Sequence, residues 1–315
     1  MQHVPVLYQE VLEVLNPVPG GFYVDGTIGA GGHSRGILER SAPDGMLIGF
    51  DRDPAALALA ASNLAEFSDR VTLIHSSYQE MVSYLNNRNW HTVDGILIDL
   101  GLSSMQLNTP ERGFSFRYDA PLDMRFDPDQ SFSASDLVNE YTREELAEII
   151  FTYGEEKFSR RIADAIIANR PLATTKELAE LIKGVVPHTR SKIHPATRTF
   201  QALRIAVNNE LDALEAFLPA ALEVLKPGGR LAVIAFHSLE DRIVKRYFRQ
   251  ESRDCICPPE IPICVCENKA RIKEITRRPI RPEDHEIHEN PRARSAKLRA
   301  AEKIFRLSGT GLAIN

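Results

Sequence analysis

The chain has 315 residues, with 38 Lys and Arg side chains against 43 Asp and Glu, so its formal net charge at pH 7 is −5. This length suits one large domain or two modest ones. Because the chain as a whole is acidic, a polyanionic partner would have to be met by a local basic surface. Apolar runs long enough to span a bilayer are missing, as are the charged and apolar regions of a secretion signal, so we expect a cytoplasmic protein without a membrane anchor.

The first distinctive element is a glycine-rich turn that directly follows a predicted strand at 22–24. The turn, residues 25–34, reads DGTIGAGGHS and precedes a helix-compatible segment. Glycines allow a sharp turn and a close approach to the backbone, and a helix start offers unpaired N–H groups. A second strand, predicted at 46–50, ends at Asp51, about twenty residues beyond the glycines, where dinucleotide-binding folds hold a ribose diol. The pattern predicts a binding loop for a ligand that contains adenosine.

Three ligands compete for such a loop: a nucleoside triphosphate, a nicotinamide dinucleotide and S-adenosylmethionine. A triphosphate site needs a lysine followed by Ser or Thr after the glycines, and this segment has no such lysine. The dinucleotide pattern needs a third glycine where Ser34 stands, so its spacing fails. S-adenosylmethionine carries no phosphate and tolerates a looser glycine loop, so we predict S-adenosylmethionine as the cofactor.

Strand-like runs recur along the first hundred residues and end at Asp25, Asp51, His75 and Asp99. Strands that alternate with helix-length segments indicate βα units and a parallel sheet, whose ligands gather at the carboxyl ends of the strands. We therefore expect an α/β fold in which the three aspartates converge at one edge of the sheet.

The regular alternation stops after Asp99 and resumes with a strand predicted at 229–236. The intervening segment carries two capping-box patterns, at 142–145 and 174–177, each ahead of an apolar helical run. We predict a helical domain inserted into an α/β domain. The predicted boundaries place the first part of the α/β domain at 1–108, the insert at 109–208 and the second part at 209–315.

All four cysteines lie in one short segment as two Cys-x-Cys pairs, Cys255 with Cys257 and Cys264 with Cys266. Four thiolates could hold a tetrahedral zinc ion, although this spacing is tighter than the usual Cys-x2-Cys knuckle. A reduced hairpin without metal is an equal alternative, and disulfides are disfavoured in a reducing cytoplasm.

Two stretches are rich in basic side chains. Residues 184–209 contain four basic and no acidic side chains, and residues 269–299 contain ten basic and five acidic ones. Such blocks on an acidic protein are candidate phosphate-binding surfaces, although a single charge run is more often a solvated helix face. Two separate blocks favour nucleic acid as a partner. Within them we predict phosphate contacts by Arg198, Arg292 and Arg294, with pairing to surface acids of the same chain as the alternative.

Six motifs, in the same order and over nearly the whole chain, resemble the ribosomal RNA small subunit methyltransferase H family. They are DGTxGxGGHS at 25–34, DLGLSSxQ at 99–106, ERGFSF at 111–116, HPATRTFQA at 194–202, FHSLEDR at 236–242 and NPRARS at 290–295. The resemblance implies S-adenosylmethionine-dependent methylation of the exocyclic N4 amine of one cytidine in the decoding region of bacterial 16S rRNA, a partner met within the small ribosomal subunit. It also implies a class I, Rossmann-like methyltransferase domain interrupted by a helical substrate-recognition domain.

The family's cofactor contacts carry over onto seven positions, namely Gly31, Gly32, His33, Asp51, Tyr78, Asp99 and Gln106. At position 78 the resemblance favours stacking or shape over a role for the hydroxyl. The two-proline motif that many amino-methyltransferases place after the fourth strand is missing here. Asp99 is therefore a candidate either for the cofactor's methionine part, which we favour, or for the N4 amine, with capping of the next helix as the structural alternative.

The second candidate catalytic residue is His237, at the end of the strand predicted at 229–236. It either contacts the target base or satisfies a backbone group. Methylation of a protein or small molecule, and a non-catalytic RNA-binding assembly factor, are the competing functions. The oligomeric state stays open, with a homodimer as one possibility.

Overall fold

The computed structural model describes residues 5–187, 194–258, 260, 263–266 and 268–305. The chain divides into two compact units, one formed by Met1–Gly101 with Leu214–Asn315 and the other by Leu102–Ala213. The first unit mixes strands and helices, whereas the second is mainly helical. Over the described ranges, no helix is both long and apolar enough to cross a bilayer.

A seven-stranded sheet forms the centre of the first unit. Its strands are β1 Phe22–Asp25, β2 Met46–Asp51, β3 Val71–His75, β4 Val93–Asp99, β5 Leu225–Ala235, β6 Ile272–Glu274 and β7 Lys297–Lys303. The strand order is β3-β2-β1-β4-β5-β7-β6. Strands β1 to β5 run parallel, whereas β7 pairs antiparallel with both β5 and β6. The four early strands therefore lie where the sequence predicted them, and the expected α/β fold is confirmed.

Strand β5 begins four residues earlier than its predicted start at Gly229. Leu225 already pairs with Val93, and the register shifts between Val93 and Gly95 before regular pairing continues. A Cβ atom at Gly229 would lie only 2.9 to 3.1 Å from three backbone carbonyl oxygens. A side chain at position 229 would not fit, because backbone packs against backbone at this irregularity. From the sequence, this glycine indicated only the end of the preceding helix.

Helices cover both faces of this sheet. In chain order they are α1 Tyr8–Leu15, α2 Gly32–Arg40, α3 Pro54–Asn63, α4 Met81–Asn87, the later part of α11 Glu210–Val224, α12 Ser238–Glu251 and α13 Asp284–Glu289. Ile48 and Ile96 belong to an apolar cluster shared with α4, α11 and α12. Their strand neighbours Leu47 and Leu97 belong to a second cluster shared with α1, α2 and α3. Since both faces are buried, the carboxyl ends of the strands remain as the edge where a ligand can bind.

The second unit is a cluster of helices around its own apolar core. Its elements are α5 Ser104–Asn108, α6 Ala134–Glu140, α7 Arg143–Gly154, α8 Ser159–Ala168, α9 Thr175–Val185, α10 Thr197–Asn208 and the start of α11. Both predicted capping boxes form: Thr142 caps α7 with Glu145, and Thr174 caps α9 with Glu177. A buried bidentate pair of Arg204 with Glu210, at 2.7 and 2.9 Å, ties α10 to the first turn of α11.

A buried ion pair joins α12 to β7 in the first unit. Asp241 accepts hydrogen bonds from Arg299 at 2.7 Å and from Lys297 at 3.1 Å, and the Arg299 side chain is only 6% exposed. Burial acts to raise the pKa of Asp241, but the hydrogen bonds from Arg299 and Lys297 outweigh it and lower the pKa.

We expect Asp241→Asn to lower the free energy of unfolding by roughly 3 kcal/mol, because it leaves the Arg299 charge buried without its partner. Urea unfolding followed by circular dichroism measures this loss. The matched control is Glu215→Gln, an exposed position on α11, which should change stability by less than about 0.5 kcal/mol. Since the folded pKa of Asp241 is lowered, its contribution is present above the ordinary pKa of 3.8 and disappears as the pH falls through the folded value. A loss of stability no larger than the control's would contradict this account.

Candidate functional site

Three carboxylates meet at the carboxyl edge of the parallel sheet. Asp25, Asp51 and Asp99 end the neighbouring strands β1, β2 and β4. Electrostatic repulsion from Asp51 raises the pKa of Asp25, and repulsion from Asp25 raises the pKa of Asp99. The three groups are therefore close enough to interact. The convergence that the strand spacing predicted is therefore present in the fold.

Asp25 is an internal member of this group and is only 2% exposed. It accepts a hydrogen bond from Ser34 Oγ at 2.6 Å and one from the Thr27 backbone N–H at 3.2 Å. Burial raises the pKa of Asp25 to about 6. The two hydrogen bonds lower the pKa without cancelling the loss of hydration, and repulsion from Asp51 raises it further. Asp25 thus fixes the turn to the helix that follows it, and its carboxyl is not presented to a ligand.

The glycine turn leads from β1 into α2, as predicted. Gly29 and Gly31 adopt the left-handed region, with φ of +53° and +81°. A Cβ atom at Gly31 would lie 2.9 Å from Leu64 Cδ1, and one at Gly32 would lie 2.4 Å from Pro5 Cγ. These two glycines are required by packing within the protein, whereas a Cβ at Gly29 would meet only the Thr27 carbonyl at 3.9 Å. The open side of the turn is therefore at Gly29.

Asp51 holds the turn in place from the end of β2. Its Oδ2 accepts the Gly29 N–H and its Oδ1 accepts the Asp53 N–H, each at 2.9 Å. Burial raises the pKa of Asp51, against the pull of these hydrogen bonds. The Arg52 backbone N–H is a third donor to this carboxylate. A carboxylate offers about four lone-pair sites, so Asp51 keeps acceptor capacity for a hydroxyl of a diol.

Asp99 is the carboxylate least compensated by the protein. Its backbone N–H donates to Thr27 Oγ1 at 2.6 Å, and its Oδ2 lies 4.0 Å from His33 Nδ1. Its Oδ1 is buried and has no hydrogen-bond partner among the described residues, although the side chain as a whole is 27% exposed. Burial, followed by repulsion from Asp25 and Glu240, raises the pKa of Asp99 well above its ordinary value. Such a group favours a ligand that brings positive charge and hydrogen-bond donors.

His33 and Tyr78 flank this edge. His33 is 6% exposed, and its Nε2 lies 3.0 Å from the Val6 carbonyl oxygen, which fixes the ring orientation. Tyr78 lies in a single 3₁₀ turn after β3 and packs edge-on against Phe217 at 5.0 Å. A Cβ at Gly26 would lie 2.9 Å from Tyr78 Cβ, so Tyr78 borders the start of the glycine turn.

His237 is the N-terminal cap of α12. Its Nδ1 accepts the Glu240 backbone N–H at 3.4 Å, while Glu240 Oε2 accepts the backbone N–H groups of Phe236 and His237 at 2.8 and 3.2 Å. His237 Nε2 lies 3.1 Å from Glu240 Oε1. The imidazole is therefore oriented by the first turn of its own helix.

Sequence reasoning missed Glu240 and Thr27 as parts of this site. Glu240 is 1% exposed and adds to the negative potential at Asp99. The available signal was the position of Glu240 three residues after His237, which is capping-box spacing, but histidine is an unusual cap. Thr27 gave no signal, because its contact with the Asp99 N–H joins residues 72 positions apart.

Gln106 and Arg198 belong to the second unit. Gln106 closes the capping box of α5: its side-chain oxygen accepts the Ser103 N–H at 3.1 Å, and it is 6% exposed. Arg198 is half-exposed on α10, with Nη1 3.7 Å from Glu156 Oε2 and 3.5 Å from the Glu155 carbonyl oxygen. Arg198 therefore does pair with an acid of its own chain, Glu156, but the ion pair is long and the arginine is partly exposed. Arg190 and Lys192, two of the four basic residues in the stretch 184–209, lie outside the described residues.

Arg292 and Arg294 lie in a short 3₁₀ segment, Pro291–Ser295, immediately before β7. Both are exposed, while Ala293 between them is buried and anchors the segment. The Asn290 side chain accepts the Arg292 N–H at 3.2 Å and caps the turn. The two guanidinium groups are therefore carried on an anchored piece of backbone.

The strand order, with parallel strands β1 to β5 and the antiparallel strand β7, defines a Rossmann-like α/β domain with acidic side chains at the carboxyl ends of its strands. The family is defined by sequence: the model of the MraW methylase family matches residues 1–304. The chain belongs to this family.

Several curated relatives named ribosomal RNA small subunit methyltransferase H are similar to the chain. The relative from Geobacter sulfurreducens is 55% identical over 96% of this chain and 99% of its own. Those from Syntrophotalea carbinolica and Heliobacterium modesticaldum are 54% and 53% identical, each over 96% of this chain and 98% of the relative. Among solved structures, an rRNA methylase from Streptococcus thermophilus covers 95% of this chain and 94% of its own at 11% identity, but its TM-score of 0.42 is too low to carry a conclusion.

The raised pKa of Asp25 predicts a pH dependence of stability. Because the folded group keeps its proton up to about pH 6, the folded state binds more protons than the unfolded state between about pH 4 and 6. The free energy of unfolding should therefore fall as the pH rises through this window, by on the order of 3 kcal/mol for a shift of this size.

We expect Asp25→Asn to flatten this fall, since the amide does not ionise. Urea unfolding at pH 4.5 and pH 7 measures it, and Asp69→Asn, an exposed site just before β3, should leave the fall intact. An unchanged pH dependence in Asp25→Asn would show that the ionisation of this buried carboxyl is not its source.

Proposed function

We propose that the protein methylates the exocyclic N4 amine of a cytidine in the decoding region of 16S rRNA, using S-adenosylmethionine. The observation that carries the proposal is the uncompensated Asp99 carboxylate beside the glycine turn in a chain of this family. The names of the curated relatives support small-subunit rRNA as the substrate.

The residues at the sheet edge fit S-adenosylmethionine, which is a cation with an ammonium group and a ribose diol. We assign Asp51 to the ribose hydroxyls through the acceptor capacity that its backbone donors leave. Asp99 Oδ1 is assigned to the ammonium, because it is a buried acceptor without a partner in the described part of the chain. The further positions that we propose to contact the cofactor are Gly31, Gly32, His33, Tyr78 and Gln106. When bound, the cofactor supplies a methyl group activated by the positive charge on its sulfur.

The cytosine amine is a weak nucleophile because its lone pair is shared with the ring. Hydrogen-bond acceptors placed on the N4 hydrogens would localise that pair and stabilise the positive charge that grows on nitrogen. Holding the amine in line with the methyl group contributes a further large part of the rate. The protein's task is therefore positioning and electrostatics, with little proton transfer before the transition state.

For His237 we propose a positioning role. Its Nδ1 already accepts the Glu240 N–H, and its buried Nε2 lies 3.1 Å from Glu240 Oε1 without a hydrogen-bond partner among the described residues, so the ring is held in the first turn of α12. The cap fixes the direction in which α12 leaves β5, next to the end of β4. Of the two candidate catalytic residues, Asp99 keeps the stronger claim to contact a reacting molecule.

We propose that the helical second unit, predicted at 109–208, recognises the RNA, and that Arg198, Arg292 and Arg294 contact phosphates. Arg292 and Arg294 are exposed on anchored backbone, which suits guanidinium groups that engage two phosphate oxygens each. The Arg198 pair with Glu156 is long enough, at 3.7 Å, to be exchanged for a phosphate.

Asp51→Ala should weaken S-adenosylmethionine binding by about 1 to 3 kcal/mol, through the loss of charge-assisted hydrogen bonds. Isothermal titration calorimetry measures the change. Because Asp51 also holds the turn, Asp51→Asn is the conservative partner, and it should lose less affinity since it keeps one oxygen acceptor. Asp69→Ala is the matched surface control. Wild-type affinity in Asp51→Ala would remove this residue from the ribose site.

Arg292→Ala combined with Arg294→Ala should weaken RNA binding and reduce its salt dependence, while leaving cofactor affinity unchanged. Binding to small-subunit rRNA is measured at several salt concentrations. The control removes the same charge from α12 by Lys245→Ala with Arg249→Ala, both exposed positions. Equal losses in the two double variants would indicate general attraction of RNA in place of specific contacts.

The activity itself is tested with small ribosomal subunits from a strain that lacks it. Purified protein and isotopically labelled S-adenosylmethionine should place label on one cytidine, located by mass spectrometry of rRNA fragments. Asp99→Asn should abolish labelling, with retention of the fold checked by circular dichroism. Label confined to protein, or RNA binding with no label anywhere, would overturn the proposal in favour of a protein methyltransferase or an assembly factor.

A further inference from the structure

The four cysteines, which the proposed methyl transfer does not use, form one compact cluster. The Sγ atoms of Cys255, Cys257, Cys264 and Cys266 all lie within 4.8 Å of one another. Cys264 Sγ and Cys266 Sγ are 3.5 Å apart, and Cys266 Sγ is 3.9 Å from Cys255 Sγ. The two Cys-x-Cys pairs, which are separated by six residues in the chain, thus bring their sulfurs to one centre.

These separations match tetrahedral thiolate coordination and do not match disulfides. With Zn–S bonds of about 2.3 Å, ideal tetrahedral geometry places neighbouring sulfurs about 3.8 Å apart. A disulfide requires about 2.05 Å. Cys266 Sγ also accepts a hydrogen bond from the Ile256 backbone N–H at 3.4 Å. Backbone donors to the sulfurs are the outer-shell support that metal-bound thiolates receive.

In the described part of the segment that carries the cluster, the apolar side chains are exposed to solvent and form no core. Ile256, Ile263 and Val265 are 46%, 75% and 71% exposed. At its base the two arms are joined by hydrogen bonds from Asn268 Nδ2 to the Arg253 carbonyl oxygen at 2.6 Å and from the Ala270 N–H to Asp254 Oδ1 at 3.1 Å. Among the described residues beyond this base, the cysteines bring the arms together, and small segments without a core need such a link.

We propose that the four thiolates hold one structural zinc ion that orders this hairpin. Four thiols and one Zn²⁺ give a tetrathiolate complex of charge −2 and release four protons to solvent, without any change of oxidation state. All four coordination positions are filled by protein, which is the closed arrangement of a structural site and leaves none for a substrate. The tight Cys-x-Cys spacing is accommodated because each pair supplies two adjacent corners of the tetrahedron.

Metal analysis of the full-length protein, purified without chelators, tests the site. We expect about one zinc per chain, together with the absorption bands of tetrahedral thiolate coordination after exchange with Co²⁺. Cys255→Ser combined with Cys266→Ser should lose the zinc, whereas Ile263→Ser, an exposed change in the same segment, should retain it. Iron in place of zinc, disulfide bonds, or four free thiols that bind no added Zn²⁺ would each overturn the proposal.

The ordering role has a separate readout in trypsin cleavage at Arg253 and Lys269, which flank the cluster. Removal of the metal by a chelator should raise the cleavage rate there several-fold, and added Zn²⁺ should restore protection. The Cys255→Ser, Cys266→Ser protein should be cleaved at the fast rate with or without Zn²⁺. Equal rates for metal-loaded and metal-free wild-type protein would show that the ion does not order the hairpin. Neither measurement depends on methyltransferase activity, so the outcome is independent of the proposed function.

Discussion

The first unit is organised around an excess of negative charge that the protein itself leaves uncompensated. Parallel strands bring Asp25, Asp51 and Asp99 to one edge of the sheet, and the helices on both faces remove water from around them. Each carboxylate is then treated differently. Asp25 is satisfied by Ser34 and Thr27, Asp51 by three backbone N–H groups, and Asp99 Oδ1 by no residue in the described part of the chain. A cationic ligand at Asp99 would relieve the cost of this arrangement, and this supports the proposed binding of S-adenosylmethionine at the edge.

Hydrogen bonds between backbone and side chain do much of the positioning at this edge. Asp51 accepts the N–H of Gly29 in the glycine turn, and Thr27 Oγ1 accepts the Asp99 N–H. Glu240 accepts the N–H groups of Phe236 and His237, where β5 passes into α12. These contacts link the ends of strands that are far apart in the chain. The site is therefore held by the same bonds that complete the turns, and a side chain such as Asp51 serves the fold and the proposed ligand together.

Much of the fold followed from local pattern. The apolar strand segments, their regular spacing, the Asp53 and Pro54 start of α3 and the two capping boxes of the helical unit all form as the sequence predicted. Those features depend on contacts within a few residues. The earlier start of β5 did not follow, because it depends on how close the backbone of Gly229 comes to β4. That Gly31 and Gly32 contact a ligand stays a prediction. The structure adds that a Cβ atom at either position would come too close to Leu64 or Pro5.

By itself the sequence determined which residues stand at the ends of the strands and that three of them are acids, because strand periodicity and chain direction fix those positions. Only the tertiary structure decided which carboxylate oxygen is left without a partner, that His237 turns its ring toward Glu240, and that four cysteine sulfurs share one centre. The physical reason is range. Hydrogen bonds, burial and electrostatic repulsion act between groups that are close in space but can be far apart in the chain, as Thr27 and Asp99 are at a separation of 72 positions.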